Sequence, residues 1–139
     1  MHLLHRAGQC ADSLFETGAK DSGLTARQLA VLITVAGTKG LSQTGLVERT
    51  GIDRSTLSDI TRRLQKRRLL QRRRTKEDAR AYAVALTDKG RQTLRVIEPI
   101  ARQVDERLLA ALTSKQRGQL IDALKSIVGA VRTGSSKGD

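Results

Sequence analysis

Residues 42–67 read SQTGLVERTGIDRSTLSDITRRLQKR, and the punctuation of this stretch decides the fold. Ser42 carries a side-chain oxygen that can accept from unpaired amides at a helix start, so it opens a short helix over 43–50. Gly51 stops that helix, because glycine enters the left-handed conformation of a helix end at little cost. Two residues later Asp53 caps a second, longer helix, with Thr56 at the position whose amide such a cap satisfies. Leu57, Ile60 and Leu64 then recur at i, i+3 and i+7, one apolar stripe that runs out near Arg67 and Arg68. A short capped helix, a tight turn and a longer capped helix make a helix–turn–helix.

Working outward, the period changes after this unit. Leu70, Arg72 and Arg74 alternate with Gln71 and Arg73, and Tyr82, Val84 and Leu86 alternate with Ala81, Ala83 and Ala85. A period of two predicts a pair of strands joined by a charged tip over 75–80, a hairpin shaped as a wing. Upstream, Thr25 and Gln28 form a capping-box pair before the apolar run Leu29 to Ala36, a short helix buried on most sides. Residues 3–17 carry Leu3, Leu4, Ala7, Ala11, Leu14 and Phe15 at helical spacing. Downstream, Thr87 opens a helix whose stripe runs from Leu94 to Leu112, and Thr113 to Gln116 is a further cap signature. The last helix places Leu120, Leu124, Ile127, Val128 and Val131 on one face. The Gly/Ser-rich segment 134–139 reads as a disordered tail. The chain is thus expected to be one domain over 1–133, mainly α with a small β-hairpin wing.

Charge and composition narrow the partner. Lys and Arg total 26 against 14 Asp and Glu, a formal charge of +12 on 139 residues. Ten cations against two carboxylates fall in residues 62–80, so +8 of that charge sits on one helix end and one hairpin. A field of this strength draws polyanions. Phe15 and Tyr82 are the whole aromatic content. Readers of unpaired bases stack them on aromatic rings, so single-stranded and RNA platforms lose ground to duplex DNA. No apolar run approaches the ~18 residues of a membrane span, the N-terminus lacks a secretory apolar region, and Cys10 has no partner for a disulfide. These features predict a cytoplasmic protein with no membrane partner.

The second helix of such a unit enters the major groove with its N-terminal residues at the base edges. Here those residues are Arg54, Ser55, Thr56, Ser58 and Asp59, with Thr61 and Arg62 a turn later. Short hydroxyls and guanidiniums in that position can read bases, Arg by forking onto guanine. Ser42, Gln43 and Thr44, at the start of the preceding helix, are placed to hold a phosphate. An αα-hairpin with polar outer faces is the bland alternative, disfavoured by the adjoining cationic segment.

The residues 50–57, TGIDRSTL, followed by Leu64, Leu69-Leu70, the Asp78-Ala79-Arg80 of the wing and the Leu86-Thr87-Asp88-Lys89-Gly90 after it, resemble the MarR family of bacterial regulators. The match is tight over 42–90 and looser over 3–131. Arg68 departs from the pattern, since the family commonly ends its recognition helix on glycine. The resemblance implies a winged helix–turn–helix over about 25–90 with interlocking N- and C-terminal dimerisation helices, about 1–18 and 91–133. It implies a homodimer on a palindromic double-stranded DNA operator, more often repressing than activating. The apolar stripes of 3–17, 94–112 and 120–131, too extensive for one small domain to cover, agree with a second chain. By the family pattern Arg72, Arg74, Lys76 and Arg80 of the wing meet phosphates or the groove. Asp78 and Arg80 form an ion pair, or Arg80 reaches the minor groove; a solvated pair with no DNA role is the alternative.

Many proteins of this kind release DNA when a small organic molecule, often an aromatic acid, enters a pocket walled by the first, second and fifth helices. That would bring His5, Cys10, Leu14 and Leu32 near an effector. A redox-sensing role for Cys10 is the rival switch, although the tyrosine donors of such sensors are missing around it, and a packed structural thiol is the plainer reading. A non-specific architectural DNA binder remains a further alternative. Two histidines and one cysteine near one end make no credible triad, and no cluster has metal spacing, so the sequence predicts no catalytic residue, no metal and no cofactor.

Overall fold

The computed structural model describes residues 1–74 and 82–135, of which 132–135 are described by backbone alone. Helix α1 spans His2–Gly18, and a 3-10 turn over Lys20–Ser22 leads to α2, Ala26–Gly37. Helices α3, Gln43–Thr50, and α4, Arg54–Lys66, follow, and then strands β1, Leu70–Arg74, and β2, Tyr82–Leu86. Helices α5, Asp88–Leu108, and α6, Ser114–Ser135, complete the chain. The chain divides into two compact units, Met1–Val104 and Asp105–Asp139.

The local signals act as their chemistry requires. Thr25 accepts from the Gln28 amide while the Gln28 side chain accepts from the Thr25 amide, a complete capping box. Ser42 Oγ accepts from the Gly45 amide at 3.0 Å, and Asp53 accepts from the Thr56 amide at 2.9 Å. Gly51 takes φ +68° and returns its amide to Val47, which ends α3 and turns the chain into α4. Leu32, Leu46, Leu57, Leu64 and Leu69 are fully buried, so the stripe of α4 rests on α2 and α3 in one core. Burying side chains of this size stabilises by about 1.5–3 kcal/mol each.

The helix ends differently from the sequence pattern. Arg68 adopts φ +60°, among the described residues a left-handed conformation shared with glycines alone. Its amide returns to Gln65 and that of Leu69 returns to Leu64, the paired bonds of a Schellman cap. Arginine therefore occupies the position that favours glycine, and the helix stops where a glycine would stop it.

Strands β1 and β2 pair antiparallel, with Leu70 opposite Leu86, Arg72 opposite Val84 and Arg74 opposite Tyr82. Leu41 adds a third partner: its carbonyl accepts from the Val84 amide at 2.9 Å. The wing is thereby tied to the segment between α2 and α3, a pairing absent from the sequence reading. Ala83 is buried as well as Val84, so both faces of the hairpin base are covered. Thr87 caps α5 by accepting from the Gly90 amide at 2.9 Å and donates to the Arg68 carbonyl at 2.5 Å. Gly90 lies so close to β1 that a Cβ there would stand 2.1 Å from the Leu69 carbonyl oxygen.

In the second unit Thr113 and Gln116 form a reciprocal cap before α6. The apolar stripe of α6, including Leu120, Leu124, Ile127, Val128 and Val131, is exposed to solvent. Helix α6 runs to Ser135, so residues 134 and 135, expected in a disordered tail, are helical; 136–139 lie outside the described residues. Among the described residues no helix is long and apolar enough to cross a membrane.

Candidate nucleic-acid interface

The buried stripe of α4 fixes which residues face outward. Because Leu57, Ile60 and Leu64 are held in the core, Arg54, Ser55, Ser58, Asp59 and Arg62 line one open recess of about 760 Å³ on the other side. Five of the seven expected recognition residues are thus gathered on one surface; Thr56, whose amide serves the Asp53 cap, and Thr61 lie outside the recess. Hydrogen bonding from Thr56 holds the Asp53 carboxyl below its usual value.

The recess is ordered from within. Arg54 Nη2 donates to Thr44 Oγ1 at 3.3 Å, linking the first residue of α4 to α3. Arg62 Nη2 donates to Asp59 Oδ1 at 2.5 Å, and Arg63 Nε donates to the other oxygen at 2.7 Å. The Arg62 hydrogen bond is the main reason that the Asp59 carboxyl sits below its usual value, with the Arg63 charge adding to it. Asp59 therefore stays ionised and steers two guanidiniums rather than standing open to solvent. Arg62 remains 79% exposed at its side chain and keeps donors for a partner.

Thr61 departs from the reading that placed it with the base readers. It is 4% exposed, and its hydroxyl donates to the Ser58 carbonyl at 3.0 Å. Gln43 Nε2 donates to that hydroxyl at 3.4 Å, so this expected phosphate contact spends its side chain on joining α3 to α4. Ser42 and Thr44 are exposed at the start of α3. Three-fold spacing put Thr61 on the right turn, but its place among buried neighbours depends on how α3 crosses α4.

On β1, Arg72 and Arg74 are exposed and, being two residues apart, share a face. Lys76, Asp78 and Arg80 lie outside the described residues. The expected effector residues are dispersed in environment: His5 and Cys10 are exposed on α1, Leu14 is half-buried against the core, and Leu32 is fully buried. The packed thiol expected at Cys10 gives way to an exposed one, because residues 1–10 are all exposed and α1 meets the core only from Ala11 onward. Among the described residues no group of three His, Cys, Asp or Glu could hold a metal ion.

A capped two-helix unit followed by a hairpin docked beside it defines a winged helix–turn–helix DNA-binding protein. The comparisons with known proteins agree. The model of the MarR family matches residues 22–81. The repressor NicR of Pseudomonas putida is 31% identical over 127 residues, covering 91% of this chain and 80% of NicR. The structure of Bordetella bronchiseptica BpsR, described with the regulation of its DNA binding by 6-hydroxynicotinic acid, superposes with a TM-score of 0.85 at 31% identity over 91% of both chains. The repressor CouR, in its complex with a 23-mer DNA duplex, superposes with a TM-score of 0.82 at 30% identity, over 91% of this chain and 89% of CouR. The chain belongs to the MarR family of DNA-binding transcriptional regulators.

Proposed function

We propose that this protein represses transcription as a homodimer on a palindromic double-stranded operator and is released by a small organic acid. The observation that carries the reading is the recess on α4 lined by Arg54, Ser55, Ser58, Asp59 and Arg62, in a chain whose strand β1 also exposes Arg72 and Arg74. Recognition helix and wing then contribute the base readers and the phosphate contacts respectively, with Ser42 and Thr44 holding a further phosphate at the start of α3. Lys76 and Arg80 extend the same basic wing in sequence, with Asp78 as the ion-pair partner of Arg80.

The dimer is supported by the exposed apolar stripe of α6 and by exposed Leu3 and Leu4 of α1, surfaces that soluble monomers rarely leave open to this extent. Two copies related by a two-fold axis would address half-sites with centres about 34 Å apart, and bound dimer would exclude polymerase from the promoter. Repression is favoured by the likeness to NicR and CouR, both named repressors. An aromatic acid is favoured as effector by the likeness to BpsR. The proteins it resembles act on DNA, and the reading places this one in the cytoplasm with no cofactor and no catalytic role.

Titration of the full chain against its candidate operator and a scrambled duplex at one fixed salt concentration tests this. Preference for the operator of about 1,000-fold or more is expected of a specific regulator. Equal affinities would replace the reading with that of an architectural DNA binder, and a monomer by sedimentation at working concentration would remove the two-site mechanism.

A further inference from the structure

Asp59 is the one carboxylate of α4, against the cations Arg54, Arg62, Arg63 and Lys66. It stands in the wall of the recess, on a surface whose partner is a polyanion, where its charge opposes binding. Two structural explanations fail to account for it. Asp59 lies beyond the first turn of the helix, so it neither caps the free amides nor meets the positive end of the helix dipole. Its pairs with Arg62 and Arg63 are exposed ion pairs one turn apart, a kind that adds little to stability.

The carboxylate holds two guanidiniums, each at one corner. Oδ1 accepts from Arg62 Nη2 and Oδ2 accepts from Arg63 Nε. Among the described residues the remaining nitrogens of both groups have no partner, so each keeps donors to offer. Arg54, in the same recess, is held instead by the neutral hydroxyl of Thr44, which leaves its charge uncompensated.

We infer that Asp59 is a positioning residue that sets sequence specificity: it orients Arg62 and Arg63 for base edges and resists their use on phosphates. This rests on the reading of α4 as the base-reading helix. The discrimination comes from charge. A guanine edge is neutral and can accept from the free nitrogens while the carboxylate keeps its own two bonds. A phosphate that takes the same guanidinium must displace the carboxylate or lie beside it, like charge against like. Cognate duplex is therefore met with the pairs intact, and unrelated duplex with the pairs broken or the repulsion unrelieved. The penalty falls on the wrong partner, so an unfavourable charge raises selectivity while lowering overall affinity.

The test compares the full chain with Asp59→Asn, which keeps the side chain's shape and removes its charge. The probes are the duplex that the parent protein enriches from a random pool and a scrambled duplex of the same composition, at one fixed salt concentration. The variant should bind the scrambled duplex about threefold or more tightly than the parent does, and its preference for the enriched duplex should fall about tenfold or more. In an Arg62→Ala/Arg63→Ala background the same substitution should change the preference by less than about twofold, since nothing is left to position. Equal tightening on both duplexes would make Asp59 a bulk charge. Unaltered or uniformly weaker binding would make it a structural residue. A fall in preference of the same size in the double-alanine background would remove Arg62 and Arg63 from the role. Each of these overturns the inference and leaves the regulator reading standing, because the parent still prefers its enriched duplex. A parent protein that does not separate the two duplexes removes both.

Discussion

Arg67 reaches from the end of α4 to Gly23, where its Nη1 donates to the carbonyl at 2.9 Å, while Nη2 donates to the neighbouring Ser22 carbonyl at 2.7 Å. One member of the basic run is therefore a strut between the recognition helix and the connector before α2. Arg67→Ala should cost about 1–3 kcal/mol in urea unfolding, since it leaves two carbonyls without their charged donor. The log–log salt slope of duplex binding should stay unchanged. Arg72→Ala should do the reverse: near-native stability and a slope reduced by about 0.9. A lowered slope for Arg67→Ala would show that this side chain leaves its carbonyl partners when DNA binds.

Arg68→Gly should stabilise the protein by about 1 kcal/mol, because φ +60° burdens any residue with a Cβ and the Schellman bonds of the helix end need no arginine. Urea midpoints at constant m-value measure this. A loss of stability would mean that the Arg68 side chain holds more of the fold than its backbone costs.

Gly90→Ala should cost about 3 kcal/mol or more, since the added carbon meets the Leu69 carbonyl oxygen at 2.1 Å and neither backbone can retreat without breaking the Thr87 cap. A thermal midpoint within a degree or two of the parent protein would show that α5 can shift away from β1.

Arg54→Ala should relax base preference at one position of each half-site, at about 1–3 kcal/mol for the preferred sequence. Selection of binding sites from a random duplex pool reads this directly. An unaltered preference with weaker binding throughout would assign Arg54 to phosphate.

The acid side of the stability profile follows from the caps. Hydrogen bonds from Thr56 depress the Asp53 carboxyl relative to the usual value of 3.8. A depressed folded value stabilises fully above 3.8 and loses that contribution as pH falls through the folded value. Asp59 beside Arg62 and Asp88 beside Arg91 carry the same sign. The stability difference between the parent protein and Asp53→Asn should therefore be flat from about pH 8 to 5 and shift against the parent below about pH 4. A difference that changes near neutrality would point to another titrating group.

The parts of this architecture that were legible in the sequence are those whose chemistry is local. Ser42, Asp53 and Thr25 cap helices because each needs only an amide three residues away, and Gly51 ends α3 through its own backbone freedom. The outward face of α4 was readable because one buried stripe fixes its opposite. Contacts made across long separations were not. Nothing near Leu41 announces Val84, nothing near Arg67 announces Gly23, and the burial of Thr61 depends on Gln43 arriving from α3. Gly90 was visible as part of a familiar pattern, but its reason, the Leu69 carbonyl, appears only once β1 and α5 are placed.

The bond from the Val84 amide to Leu41 has a practical corollary. Two-stranded ribbons are marginal in water, and besides its buried Leu70, Val84 and Leu86 this one is held by a backbone rung shared with the interhelical segment. Deuterium uptake at residue 84 is consequently a built-in gauge: slow when the finger is seated on the body, fast when it swings loose, and readable without label, ligand or duplex.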